Sequence, residues 1–234
     1  MKKLTALFIA SIIAALSFGC SNGDENIPDD TTNSIHDTVA DTIADESSHD
    51  TETAFIPNTN LSRGVIEGDV YTNECLGFSF TKPETWEYSP DNKLARSMNL
   101  EPEKMNLHIE QLLEKRDVVY DMVVADPKTR TNISIEFENL SRTFDVDITE
   151  DHYIDVLQQK ISGVTNMAAS FYDSVAEVTF GENTYKRVAY SAVTASGIPM
   201  IQAHYIRKID GYISYITVTI MGGYDLYEIE AMFS

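Results

Sequence analysis

The last third of the chain leaves few folds open to it. Four segments with strand character, Ser174 to Phe180, Thr184 to Thr194, Pro199 to Ile209 and Tyr212 to Ile220, are joined through Gly181-Glu182-Asn183, Ser196-Gly197 and Asp210-Gly211. Asp-Gly is a strong hairpin signal, because twisted antiparallel strands favour a short turn with positive φ. Parallel neighbours need a crossover of a dozen or more residues, and these connections are far shorter. The segment therefore predicts an antiparallel meander. Asp225 then caps a closing helix, with Glu228 three residues on completing a capping box and Leu226, Ile229, Met232 and Phe233 turned to the sheet.

The stretch before the meander mixes strands with helices. Val65 to Tyr71 predicts an edge strand, and Gly77-Phe78-Ser79-Phe80-Thr81 a short strand stopped by Pro83. Trp86 is of a size to plug one end of the core. Asp91 to Asn99 predicts a short helix with Leu94 and Met98 inward. Pro102 predicts the first turn of a second, with Met105, Ile109, Leu112 and Leu113 at helical spacing. Val118 to Ala125 is apolar enough for a central strand. After the turn residues Asp126-Pro127-Lys128-Thr129, Ile133, Ile135 and Phe137 alternate with Asn132, Ser134, Glu136 and Glu138, which predicts a half-buried strand. Thr149 opens an amphipathic helix with Tyr153, Val156, Leu157 and Ile161 on one face, Glu150 and Asp151 at its positive end, and Gly163 as its stop. Strands grouped with helices between them, without βαβ alternation, predict an α+β class: an antiparallel β-sheet with helices packed on it.

The other end of the chain concerns location. Lys2 and Lys3 precede an apolar run from Leu4 to Phe18, and Gly19 stands before Cys20. That order describes a secretory signal peptide over residues 1–19, too short to span a bilayer, which takes about 20 apolar residues. A cysteine directly after the cleavage point resembles the lipobox of bacterial lipoproteins, where the thiol receives a diacylglycerol. Two acyl chains hold firmly where one gives only reversible attachment. Ordinary cleavage at the same bond, with Ser17 and Gly19 as the small residues, gives instead a soluble secreted product, and an uncleaved anchor is a third reading. Residues 21–62 carry ten acids and no Lys or Arg among Asp, Thr, Ser and Asn. Such a stretch cannot offset its ordering entropy by burial. Residues 20–62 therefore predict a disordered acidic tether reaching roughly 35 Å, and 63–234 the folded domain. A net charge of −20 makes nucleic acid a poor partner, because phosphate binding needs clustered Lys and Arg.

Catalytic patterns are sparse. Two cysteines, one of them taken by the anchor, exclude a disulfide framework. Cys75 has no recognisable base beside it and reads as a small half-buried residue next to a strand. His108, His152 and His204 lack metal-ligand spacing, and His36 and His49 lie in the acidic tether. The expectation is no metal and no cofactor. Asp145, Asp147, Glu150 and Asp151 form an acid cluster that suits a helix start or a loose calcium site, without an EF-hand's glycine and closing glutamate. Tyr185, Tyr190, Tyr205, Tyr212 and Tyr215 read either as strand formers or as a recognition face. Gly222-Gly223 reads as the turn into the closing helix.

A resemblance follows from these residues in order. Gly77-Phe78-Ser79-Phe80, Pro83 and Trp86, the Thr149 helix, Gly181-Glu182-Asn183-Thr184-Tyr185, the hairpins and the closing helix resemble the PsbP-like fold over residues 64–234. This is the α/β/α sandwich of the extrinsic photosystem II subunit, shared with a Ran-binding nuclear import factor. The chain is also similar to bacterial lipoproteins with a PsbP-like domain. The resemblance implies the fold and transfers no site residue. Because known members of this fold are mostly adaptors, it implies a binding role by analogy. The expectation is a membrane-anchored, extracytoplasmic lipoprotein, lipidated on Cys20 and not an enzyme. It would bind a protein or small ligand or scaffold an envelope complex. The alternatives are an extracytoplasmic hydrolase with a dispersed site, such as His204 with acids from adjacent strands, and a hydrophobic-ligand carrier with an apolar cavity between sheet and helices.

Overall fold

The computed structural model describes residues 61–144, 148–164, 168–172, 174–194 and 196–234. The signal and tether readings, with Cys20, His36 and His49, therefore lie outside the described residues, as do Asp145 and Asp147.

The meander forms as its turns dictate. β8 (Ala176–Phe180), β9 (Asn183–Val193), β10 (Pro199–Ile209) and β11 (Tyr212–Ile220) pair antiparallel in succession. Asp210 enters the last hairpin at φ 51°, a left-handed conformation that Asp tolerates better than most side chains. The sheet continues from β11 onto β6 (Asn132–Asn139), β5 (Val118–Ala125) and β4 (Glu87–Tyr88), and β7 (Ser170–Phe171) also pairs with β9. A smaller sheet holds β1 (Val65–Glu67), β2 (Val70–Asn73) and β3 (Phe78–Thr81). The single edge strand expected over Val65 to Tyr71 is thus a hairpin, because Gly68 at φ 61° reverses the chain.

The helices are α1 (Asp91–Ser97), α2 (Ile109–Leu113), α3 (Leu140–Thr143), α4 (Glu150–Ser162) and α5 (Leu226–Glu230), with a 3₁₀ turn over Pro102–Asn106. The one helix expected from Pro102 is split. His108 is extended and caps α2: its backbone N–H donates to Gln111 Oε1 at 3.1 Å, and its ring nitrogen accepts from the Glu110 N–H. A local side-chain cap competes with helix continuation, and here it wins. In α4 the buried set is Tyr153, Ile154, Leu157 and Ile161, so Ile154 takes the place expected for Val156, which is half-buried. Among the described residues no helix is long and apolar enough to cross a membrane.

The class is α+β, an antiparallel sheet between two covering layers. The first face of the larger sheet presents Ile133, Ile135, Phe137, Ala203, Tyr205, Ile216 and Val218. It is buried under the small sheet, α1, α2 and α5. The second face presents Val188, Tyr190, Ile206, Ile213 and Tyr215, buried under α3 and α4.

The glycines of the resemblance have a mechanical task. The Glu182 N–H donates to the Gly77 carbonyl at 3.1 Å, and Asn183 Nδ2 donates to the Leu76 carbonyl at 2.8 Å. A Cβ on Gly181, which sits at φ 54°, would lie 2.0 Å from the Gly77 oxygen. The turn after β8 therefore interlocks with the turn before β3 and joins the two sheets. The C-terminus closes the same seam. Ser79 and Ser234 exchange backbone hydrogen bonds of 2.7 and 2.8 Å, and Phe233 stacks on Phe180 with ring centres 4.3 Å apart. Burying an aromatic ring like these contributes about 1.5–3 kcal/mol each.

Candidate functional site

Polar residues accumulate on the second face. Strand pairing sets His204 of β10 opposite Thr217 of β11, and Thr217 opposite Ser134 of β6; Gln202 pairs with Thr219 in the next row. Glu136 and Glu138 continue the β6 side of this layer, and Tyr190 of β9 faces Gln202. The half-buried strand expected over residues 132–138 is corrected here. α3 and α4 return over its polar side, so Glu136 and Glu138 are only 3% and 2% exposed.

Part of the layer is satisfied internally. The Tyr190 hydroxyl donates to Gln202 Oε1, and Gln202 Nε2 donates to Thr219 Oγ1 at 2.8 Å. Ser134 Oγ donates to Glu136 Oε1 at 2.7 Å. His204 lies between the rings of Tyr190 and Tyr215, with centres 5.8 and 5.1 Å away, and its Nδ1 is 3.4 Å from Thr217 Oγ1. Its Nε2 is buried without a hydrogen-bond partner. Burial lowers its pKa to about 3, so the ring is neutral.

Glu138 is the second incomplete group. Its Oε2 accepts from the Tyr153 hydroxyl of α4 at 2.5 Å, while Oε1 is buried with no partner. Burial pushes its pKa up to about 7, against the pull of Tyr153, Thr143 and Lys160. The Lys160 amine stands 5.6 Å over the Phe144 ring. Burial lowers its pKa, and Glu138 opposes that.

Two clefts open elsewhere among the described residues. The first, of about 480 Å³, lies at the end of the larger sheet and is lined mainly by Ala192, Val193, Pro199, Met200, Ile220 and Met221. Ala192 and Met200 each lead, two residues along their strands, to Tyr190 and Gln202 of the polar layer. The second cleft, of about 830 Å³, runs along α4 beside Gln158, Gln159, Phe171 and Tyr172. His204 lines neither.

The remaining sequence candidates are dispersed. Cys75 is half-buried beside β3, and burial pushes its thiol up. His152 is exposed in the first turn of α4, its backbone N–H on Thr149 Oγ1. Glu150 accepts from the Lys208 N–H at 2.6 Å and Asp151 pairs with Lys186 at 2.6 Å, so both acids tie the helix start to the sheet. Among the described residues no three His, Cys, Asp or Glu side chains are grouped to hold a metal. Tyr185, Tyr190, Tyr205 and Tyr215 are buried and Tyr212 is half-buried, which makes them core formers. Trp86 closes the core as expected, its indole N–H on the Tyr224 hydroxyl at 2.9 Å.

Sequence reasoning passed over Asp121. A β-bulge between Tyr120 and Met122 accompanies it. It accepts from the Tyr71 hydroxyl at 2.5 Å, Asn73 Nδ2 at 2.9 Å and the Gly64 N–H at 3.0 Å. Arg63 Nε lies 3.4 Å away. Burial raises its pKa and these four groups pull it back. The available signal was one Asp inside the apolar run Val118 to Ala125.

No family model matches this chain, and no curated protein matches it. Among solved structures it is similar to the solution structure of cyanobacterial PsbP (CyanoP) from Synechocystis sp. PCC 6803, at 12% identity and a TM-score of 0.38. That match covers 72% of this chain and 86% of that one. It is also similar to a crystal structure from Bacteroides thetaiotaomicron VPI-5482, at 13% identity and a TM-score of 0.37. There the match covers 73% of this chain and 46% of the other, under half its length.

Proposed function

We propose that the chain is a membrane-anchored extracytoplasmic lipoprotein, held by a diacylglycerol on Cys20, whose domain is a non-enzymatic binding module for a small amphiphile. The observation that carries the domain's role is the apolar cleft at the end of the larger sheet. Its volume of about 480 Å³ falls within the usual range of roughly 300–1,000 Å³ for small-molecule sites. An apolar body seated there gains about 25 cal/mol for each Å² taken out of water. A hydroxyl or amide at its inner end points toward the Tyr190–Gln202–Thr219 hydrogen-bonded chain, two residues along the strands from Ala192 and Met200 of the cleft wall. The hydrolase reading has less support, because the His204 ring is sealed between two tyrosines and lines neither cleft.

Titration of the mature protein with 1-decanol, followed by native mass spectrometry, tests the cleft. One equivalent is expected to bind saturably, and Val193→Trp, which fills the cleft from a half-exposed position, is expected to abolish binding with the fold intact. Absence of binding in the wild type, or undiminished binding in V193W, overturns the reading. The anchor is tested separately by the mass of the mature N-terminus: Cys20 bearing diacylglycerol is expected, and an unmodified Cys20 or a retained Met1 refutes it.

A further inference from the structure

Glu138 lies at the joint between α4 and the sheet, and its surroundings suit only one of its two charge states. An ionised carboxylate has room for about four hydrogen bonds, and here Oε2 receives one from Tyr153 while Oε1 receives none. The facing groups come from each packed element. Glu136 shares its strand, Tyr215 of β11 stands near, and Tyr153 and Lys160 face it from α4. On β10, Lys208 has committed its amine to the Ile148 carbonyl at 2.8 Å. On α3, the Thr143 hydroxyl donates to Asn139 O at 3.1 Å while also pulling on the Glu138 carboxylate, and Arg142 turns to Asp117 at 2.9 Å. Val118 of β5, opposite Glu138, is apolar. Lys160 favours the charged form and Glu136 the neutral one.

A charge appearing on this carboxyl must find water or a partner, and the elements around it differ in how easily they yield. β6 is ladder-bonded on both edges, to β5 and β11. α4 is held by four buried side chains, by the Tyr153 phenol, and at its start by Glu150 on the Lys208 N–H and Asp151 on Lys186. Local opening follows the weakest grip.

We infer that α4 is a pH-gated cover over the polar layer of the second face, held shut while Glu138 carries its proton and loosened when it ionises. The gate stands on Glu138 and α4 alone and does not depend on what the apolar cleft binds. Since burial raises the carboxyl from its ordinary 4.5 to about 7, the stabilisation of the closed helix is fully present below pH 4.5 and is lost as pH rises through 7. If the carboxyl regains its ordinary acidity on opening, the opening constant changes by up to about 300-fold across that window.

Hydrogen–deuterium exchange of the full chain at pH 5.5 and pH 8.5, corrected for intrinsic exchange rates, tests the gate. His204 of the same layer titrates in the opposite sense, so the comparison is made in H204Q. There, peptides from α4 are expected to open at least tenfold more often at pH 8.5, with α1 and α2 on the opposite face unchanged. Adding E138Q is expected to remove the difference. Y153F, which deletes the donor to the carboxylate, is expected to move the midpoint upward. An α4 without pH dependence in H204Q, an equal change in α1 and α2, a change that survives E138Q, or a midpoint unmoved by Y153F overturns the proposal.

Discussion

The two faces of the larger sheet come from the same strands by simple alternation, yet they treat buried charge in opposite ways. On the first face Asp121 is fully buried and met by Tyr71, Asn73, Gly64 and Arg63, contributed by the segment that leads into the small sheet and by the sheet itself. On the second face Glu138 is equally buried, but its Oε1 has no partner and only Tyr153, Thr143 and Lys160 favour its charge; His204 leaves Nε2 without a partner. Coverage accounts for the difference. The first face is covered by a sheet and three helices, which bring donors from several directions; the second lies under α3 and α4. Burial alone does not fix a charge state; the number of donors around the group does.

The comparison is broken most severely at Asp121. Asp121→Ala leaves the Tyr71 hydroxyl and the Gly64 N–H without their acceptor, takes one acceptor from the Asn73 amide and removes one partner of Arg63. Breaking such a buried pair costs about 3–5 kcal/mol, read as a lowered urea midpoint. Asp121→Asn keeps an acceptor for Tyr71 and should lose less. Equal losses in the two variants would mean that side-chain shape, and not the carboxylate, holds the first face together.

The second face is sharpened by pH. Burial holds Glu138 at about 7 and His204 at about 3. Between pH 4.5 and 6.5 the folded chain binds a proton on Glu138 that the unfolded chain lacks, and the unfolded chain binds one on His204 that the folded chain lacks. The two slopes cancel, so this pair leaves the wild type's stability flat in that window. His204→Gln exposes the Glu138 term: stability rises by about 3 kcal/mol as pH falls from 7 to 4.5. Glu138→Gln exposes the other: stability falls by about 2–3 kcal/mol as pH falls from 6.5 to 4.5. Urea midpoints at four pH values in the three proteins read this directly. Slopes of the same sign in both variants would show that the charge states of this face are governed by groups elsewhere.

What the sequence made legible follows the range of the interaction. The meander, the Asp225 capping box and the Thr149 cap are written within a few residues, and each stands in the structure where the chain chemistry puts it. The alternation of Ile133, Ile135 and Phe137 with Ser134, Glu136 and Glu138 separated the two faces correctly. It could not say that the polar set would lie under α4, because period 2 reports sides and not what returns to cover them. Asp121 was hidden for a similar reason: its partners stand 48 to 58 residues away in the chain. His108 was lost at the scale of one turn, where its capping bonds interrupt a periodicity that otherwise continues.

The smallest effect separates the helices that close the two faces. Thr149 caps α4 through its hydroxyl on the His152 N–H at 3.2 Å, and Asp225 caps α5 through a reciprocal pair with Glu228 at 2.9 Å. Removing either cap costs about 1 kcal/mol. α5 runs directly into Phe233 and the Ser234–Ser79 bridge, so the cost of Asp225→Ala is expected in the global unfolding midpoint. α4 has no backbone ladder to the sheet. The cost of Thr149→Ala is therefore expected as about fivefold faster exchange of α4 amides, since 1 kcal/mol is a factor of about 5 in an opening constant, with a smaller change in midpoint. The same cap energy then registers as local opening on one face and as global stability on the other. Equal midpoint shifts without faster α4 exchange would place both helices in one cooperative unit and remove the distinction between the faces.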